Sequence, residues 1–432
     1  MAVGLSKTKW FGILNVKVPS VCKGITLSYE GKKSREQILS QPYSKSMFVK
    51  QAKDSDEINT LFFANNKDVL LELLNDDNIK GKVKLIYIDP PFATNSIFQS
   101  AEQKDAYTDL LQGSEFIEFM RERLIMLYEL LADDGSIYVH LDKNMAFEIK
   151  IIMDEIFCKS NFRNWITRKK CSTKNTTKKQ YGNISDYILF YTKSAEYIWN
   201  RPSDPWTEER IKKQYPFIDE KTGRRYKRVP IHAPGTRKGA TGQQWRGMFP
   251  PKGKHWQFVP SKLDEMDKKG EIYWSSNNNP RRKVFFNPNE NAGVPRQDIW
   301  LDNRDSANQN VKTTGYPTEK NFEMMDMIIK TSSNDGDLVL DCFCGSGTTL
   351  EAAKKNNRKW IGVDNSFEAI SSSLFRLNNG AKRKGDYVNP TVLIEDYKKL
   401  FDEIQLKNIT FNFKTTQEFI KDISEITTKE SS

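Results

Sequence analysis

Two short stretches hold residues whose types and spacing can do chemistry. Asp89-Pro90-Pro91-Phe92 follows an apolar run from Val83 to Ile88. Consecutive prolines stop a ladder and fix an extended turn. The run therefore ends by presenting a carboxylate, backbone carbonyls without a helical partner, and an aromatic face. A planar ring bearing an NH2 group needs that set: an acceptor for each amino hydrogen and a face to stack on. In isolation the same residues also describe a proline-rich turn with an N-capping aspartate.

The second stretch is Asp341-Cys342-Phe343-Cys344-Gly345-Ser346-Gly347-Thr348-Thr349. Gly345 and Gly347 let a ligand approach the backbone, and free N–H groups at the following helix start favour an anionic group. Asp364 lies about 20 residues past the turn, where a carboxylate can accept hydrogen bonds from ribose hydroxyls. The spacing is not the full dinucleotide fingerprint. Turn and acid together point to a nucleoside-bearing cofactor.

The elements that must position these residues read as α/β. Leu61–Phe63, Val83–Ile88, Ser136–Leu141, Asp186–Tyr191, Asp337–Asp341 and Lys359–Val363 read as strands, several of the continuous apolar type that parallel sheets bury. Helices are predicted over Asp68–Leu74, Ser114–Leu131, Asn144–Phe157, Thr318–Lys330, Thr348–Ala353 and Phe367–Leu377. Phe116, Met120, Leu124, Leu127 and Leu131 line one face of the second helix and read as core. His140, inside a strand, reads as a satisfied structural histidine. Thr410–Phe413 is a further candidate strand.

The formal net charge of +11 over 432 residues suggests a polyanionic partner. Thr167–Gln180 is rich in Lys, Arg and Thr without apolar period. From Trp199 to Val311 basic residues interleave with Trp, Gly and Pro, as in Trp245-Arg246 and Arg281-Arg282-Lys283. Such a surface suits contact with phosphates and bases. The candidate DNA contacts are Lys169, Lys170, Lys174, Arg237, Arg246, Lys254, Arg281 and Arg282. Five scattered cysteines and three histidines support neither a disulfide framework nor a metal site. That usage fits a reducing cytoplasm. No run approaches membrane-spanning length. The expected divisions are an N-terminal extension to residue 55, a catalytic half over 56–198, a target-recognition domain over 199–311, a cofactor-binding half over 312–398 and a C-terminal extension.

In this order the pieces resemble the amino-group DNA methyltransferases of the β class. Asp89-Pro-Pro-Phe92 is similar to the catalytic tetrapeptide, and Phe343-Cys-Gly-Ser-Gly347 to the S-adenosylmethionine motif. Gly315-Tyr-Pro-Thr-Glu-Lys320 is similar to the segment lining the methionine end of the pocket. The resemblance implies a Rossmann-like S-adenosylmethionine-dependent α/β sheet with helices on both faces and an inserted, irregular recognition domain. It implies catalytic roles for Asp89, Pro90, Pro91 and Phe92. Cofactor contacts would come from Asn65, Asp89, Thr318, Lys320, Asp341, Phe343, Cys344, Gly345, Ser346, Gly347, Thr348, Thr349 and Asp364.

The implied reaction is methylation of the N6 amino group of an adenine flipped out of double-stranded DNA, with N4 of cytosine as the close alternative. Partners to look for, beyond DNA, are a second copy of the chain and a cognate restriction endonuclease subunit; a recognition and modification subunit of a restriction complex is the rival reading. Asn321 stands where the family usually has Pro. Ala64-Asn65 replaces Gly-Asp, and Ala93-Thr94-Asn95 replaces Asn-Thr-Gly.

Overall fold

The computed structural model describes residues 25–53, 58–91, 113–171, 179–288, 293–303, 312–313, 319–380, 382–383 and 409–420. Phe92, Lys174, Thr318 and the candidate segment Ala93-Thr94-Asn95 lie outside them. The chain divides into two units, Met1–Asn200 with Gln297–Ser432, and Arg201–Arg296.

In chain order the first unit contributes α1 (Arg35–Leu39), β1 (Met47–Lys50), β2 (Thr60–Phe63), α2 (Asn66–Leu74), β3 (Val83–Ile88), α3 (Ser114–Leu130), β4 (Leu131–Leu141), α4 (Ala146–Phe157), β5 (Phe162–Lys169) and β6 (Ser185–Thr192). The second unit adds α5 (Glu208–Gln214), β7 (Phe217–Ile218), β8 (Arg225–Pro230), α6 (Pro260–Lys268), β9 (Ile272–Trp274) and β10 (Pro280–Phe285). The first unit resumes with β11 (Ile299–Trp300), α7 (Phe322–Ser332), β12 (Leu338–Asp341), α8 (Thr348–Lys355), β13 (Lys359–Asp364), α9 (Phe367–Asn379) and β14 (Asn412–Thr415).

A ten-stranded sheet runs through the first unit in the order β1-β14-β2-β13-β12-β3-β4-β6-β5-β11. From β14 to β4 the neighbours are parallel. β6 turns antiparallel to both β4 and β5. A parallel strand covered on both faces is apolar along most of its length, and β3 is: Val83, Leu85, Ile86, Tyr87 and Ile88 are all buried, while Lys84 reaches out to Asp134 at 2.6 Å. Its residues divide between two cores. Ile86 and Ile88 face the core built with α2, α3 and α4, and Leu85 and Tyr87 face the core built with α7, α8 and α9.

Several boundaries differ from the sequence reading. β4 starts at Leu131, not Ser136, and contains the predicted Asp134-Gly135 turn. A Cβ at Gly135 would sit 2.8 Å from Leu131 Cδ1 and 2.9 Å from the Ala132 carbonyl, so only glycine fits there. β5 covers Phe162–Lys169, partly inside the predicted basic loop, because Arg168 is buried there by pairing with Asp186. α7 begins at Phe322 because Asn321 accepts the Met324 N–H at 2.8 Å, capping the helix. Cys158 is disulfide-bonded, against a cysteine pattern that supported no disulfide framework and fitted a reducing compartment.

Within the first unit the chain is anchored on either side of residues 201–296. The Asn200 N–H donates to the Thr331 carbonyl at 2.8 Å, and its Nδ2 reaches the Lys330 and Ser333 carbonyls at 2.9 and 3.1 Å. On the return, Ile299 and Trp300 pair with Thr167 and Arg168.

The second unit is more regular than predicted. β9-β10-β8-β7 form an antiparallel sheet. Its strands carry Arg and Lys at positions where apolar residues would mark a period, which hides them. One face packs Ile272 against Trp245, Trp256, Leu263 and Met266. The other carries a basic and aromatic surface: Arg228 stacks between Phe217 and Tyr273, its guanidinium 3.5 and 3.4 Å from their centroids, and Arg224 lies over Phe285. Cross-strand register puts Arg281 and Lys283 on this face, opposite Pro230 and Arg228.

Candidate active site at the carboxyl edge of the sheet

Four adjacent parallel strands, β2, β13, β12 and β3, end on one edge of the sheet. Asp364 and Asp341 are the last residues of β13 and β12, Asp89 follows β3 directly, and Asn65 stands two residues past β2. Strand ends beside a change in chain direction are where open α/β sheets bind ligands.

At β12 the chain leaves the sheet through Gly345 (φ +50°) and Gly347 (φ +74°), which caps α8. Left-handed backbone favours glycine. A Cβ at Gly347 would also meet Ser373 Oγ at 2.7 Å. The Ser373 hydroxyl donates to the Gly345 carbonyl at 2.7 Å, and Arg376 Nε to the Ser346 carbonyl at 2.7 Å. Arg376 is in turn held by Glu319 and Glu351. Thus α9 fixes the turn from behind. Phe343 and Gly345 are part-exposed; Cys344, Ser346, Thr348 and Thr349 are buried in its base.

Asp364 accepts the Gly345 N–H through Oδ2 and the Ser366 N–H through Oδ1, both at 2.9 Å. Burial raises its carboxyl above the usual range, against those backbone hydrogen bonds. A carboxylate has about four lone-pair sites, so acceptor capacity remains. Asp341 is 2% exposed and pushed up to about 7, chiefly by burial, with Asp89 and Asp364 adding repulsion. The Phe343 N–H reaches its Oδ1 at 3.0 Å. Asn65 spends its oxygen capping α2, accepting the Lys67 N–H at 3.0 Å. The next residue, Asn66, ties the edge together by donating to the Cys342 carbonyl at 2.9 Å.

Asp89 is the most asymmetric of these acids. Its Oδ2 is held by the Lys320 ammonium. Its Oδ1 is buried and has no hydrogen-bond partner, with His140 Nδ1 3.7 Å away. A buried acceptor left open costs about 1–3 kcal/mol, which a donor arriving from a substrate would recover. Pro90 is buried and Pro91 half-buried beside it.

A family profile described as DNA methylase matches residues 83–374. The chain is 46% identical over 406 residues to the type II methyltransferase M.EcaI of Enterobacter cloacae, covering 91% of this chain and 88% of that protein. The chain belongs to the DNA methylase family. It is a DNA methyltransferase of the N6/N4 amino-group class and of restriction–modification type, and S-adenosylmethionine is its methyl donor. The type II methyltransferase M1.MboII of Moraxella bovis is 28% identical over 324 residues, covering 74% of this chain and 97% of that one. The StyLTI Mod subunit of a type III restriction-modification enzyme from Salmonella typhimurium is 25% identical over 373 residues, and the match spans 56% of that subunit.

The edge fits this methyl donor in its chemistry. Three carboxyl groups stand at adjacent strand ends, and Asp364 keeps acceptor capacity beyond its two backbone contacts. Of the candidate DNA contacts, Lys169 and Lys170 are half-buried at the end of β5, and Arg237 and Lys254 are exposed in the second unit. Arg246 is occupied by Asp264 and Asp267 at 3.1 and 2.5 Å. Arg281 and Arg282 alternate onto opposite faces of the small sheet, Arg282 lying over Phe258. Sequence reasoning missed Arg228, whose stacked partners come from separate strands. It also missed the buried Arg168–Asp186 pair and its contact with His140, which only strand register brings together.

Proposed function

We propose that this methyltransferase acts on the exocyclic N6 of an adenine extruded from double-stranded DNA, with Asp89 as the acceptor for the target amine. The open, buried Oδ1 of Asp89 carries this reading. A base inside the duplex cannot present its amino nitrogen, and extrusion costs a few kcal/mol. The amine lone pair is delocalised into the ring, so it is a weak nucleophile. Hydrogen bonds from the NH2 group to Asp89 Oδ1 and the Pro90 carbonyl would localise it, while Phe92 stacks on the ring. The Lys320 ammonium compensates the Asp89 charge and fixes its second oxygen, so the free oxygen is already oriented. S-adenosylmethionine supplies the electrophilic methyl. Asp364 would hold its ribose, and the Gly345–Thr349 turn, with Asp341, would close around it, leaving orientation as the main contribution of the chain. Asp at the first tetrapeptide position favours adenine over cytosine by the family resemblance.

For the second unit we assign the Arg224, Arg228 and Arg281 face to DNA contact; Lys283 on the same face is held by Asp219 at 2.7 Å. That face combines basic charge with aromatic planes.

The test is nucleoside mass spectrometry of unmethylated genomic DNA incubated with the protein and S-adenosylmethionine, beside Asp89→Ala and Asp364→Ala. N6-methyladenine that vanishes in Asp89→Ala while cofactor binding persists is the expected result. N4-methylcytosine would overturn the choice of base. Equal loss of turnover and cofactor binding in Asp89→Ala would overturn its role, and unchanged cofactor affinity in Asp364→Ala would remove that acid from the ribose.

A further inference from the structure

A buried polar row crosses four neighbouring strands on one face of the large sheet, beginning at Asp89. His140 on β4 is fully buried. Its Nδ1 lies 2.7 Å from the Tyr87 hydroxyl and 3.7 Å from Asp89 Oδ1, both reached from β3. Its Nε2 lies 2.9 Å from Asp186 Oδ2 on β6, at ion-pair distance but without the geometry of a hydrogen bond. Asp186 is gripped by Arg168 of β5 through Nε at 2.9 Å and Nη2 at 2.6 Å. Register makes this row possible. Val139 pairs with Ile88 and His140 with Ile188, so the four side chains project to the same side.

We propose that His140 is a positioning residue for methyl transfer: it holds the Asp89–Tyr87 wall in place and keeps Asp89 Oδ1 free for the target amine. The proposal rests on the assignment of Asp89 as the amine acceptor. A carboxylate only accepts, so the His140 proton belongs on Nε2, facing Asp186. In the neutral ring Nδ1 then accepts from the Tyr87 hydroxyl, and neither group offers a proton to Oδ1. The charges agree with this tautomer. Lys320 balances Asp89 and Arg168 balances Asp186, so a neutral imidazole leaves the row neutral.

The groups around the ring are Tyr87 and Asp89 from β3, Asp186 from β6 and Arg168 from β5, with Lys320 beyond Asp89. With Nδ1 accepting from Tyr87, no N–H from the ring competes with the target amine for Oδ1.

Single-turnover methylation of duplex DNA by the full chain tests this. His140→Asn keeps an acceptor near Nδ1 and loses the reach to Asp186. Its rate should fall roughly tenfold to a hundredfold, as small misplacements of reacting groups do. KM for DNA and cofactor affinity should hold, a split that general loss of structure would not leave. Tyr87→Phe, which removes one hydroxyl, should lower the same rate and decides the matter if His140→Asn does not fold. A wild-type rate in either folded variant would overturn the proposal. Asp89→Ala is run alongside: if it retains turnover, the amine-acceptor assignment falls and this proposal with it. If it is inactive, an unaltered His140→Asn overturns the positioning role alone.

Discussion

Asp341 offers a prediction that can be worked through in numbers. Its carboxyl is pushed up to about 7, first by burial and then by Asp89 and Asp364, against the Phe343 N–H and Thr349. In the unfolded chain an aspartate titrates near 3.9. The folded state thus binds the proton more tightly, and stability is full below the unfolded value and declines as pH rises towards 7. The whole difference is about 3 pK units, or about 4 kcal/mol; about 2.5 kcal/mol of it disappears between pH 5 and pH 8. Asp341→Asn keeps an acceptor for the Phe343 N–H and removes the titration. Urea unfolding of wild type and variant at both pH values, without cofactor, should show the variant gaining about 2.5 kcal/mol on the wild type at pH 8 relative to pH 5. Parallel profiles would mean that Asp341 is not held protonated by its surroundings, and the reasoning would fail.

Other substitutions probe separate parts of the molecule. Gly347→Ala should lower stability by about 2–4 kcal/mol, from left-handed backbone plus overlap with Ser373, and weaken cofactor binding; thermal unfolding and calorimetry read the two effects. Arg168→Met leaves Asp186 buried beside His140 without its partner and should destabilise by about 3–5 kcal/mol in chemical denaturation. Arg281→Ala should weaken DNA binding and reduce the salt slope of affinity by about one, measured by fluorescence anisotropy. Arg246→Ala, at an arginine already paired with Asp264 and Asp267, should leave that slope unchanged.

What was legible in the sequence follows the physics of buried parallel strands. β3, β12 and β13 read as near-continuous apolar runs because helices cover both faces, and each run ends at or just before the acid that marks the candidate site. β5 was hidden because its strand character comes from pairing: Arg168 looks solvated until Asp186 is brought beside it. The small sheet of the second unit escaped for a related reason, since arginines stacked on aromatic rings replace the apolar alternation. His140 was read as a satisfied structural histidine, and it is buried among polar partners. Its closeness to Asp89 depends on the register between β3 and β4, which no local pattern encodes. The helix starts at Asn321 and Asn65 depended on side chains acting as caps, so the predicted boundaries moved by a few residues.

The two pinned stems have a consequence for how such a protein changes over time. The chain leaves the large sheet at Asn200, whose side chain closes the end of α7, and returns by pairing Ile299 and Trp300 with β5. Both attachments are made by residues of the first unit, outside residues 201–296. Recombination that swapped the intervening segment would therefore keep the docking points intact. A lineage could acquire a different second unit in one exchange while inheriting the large sheet and its candidate site unchanged.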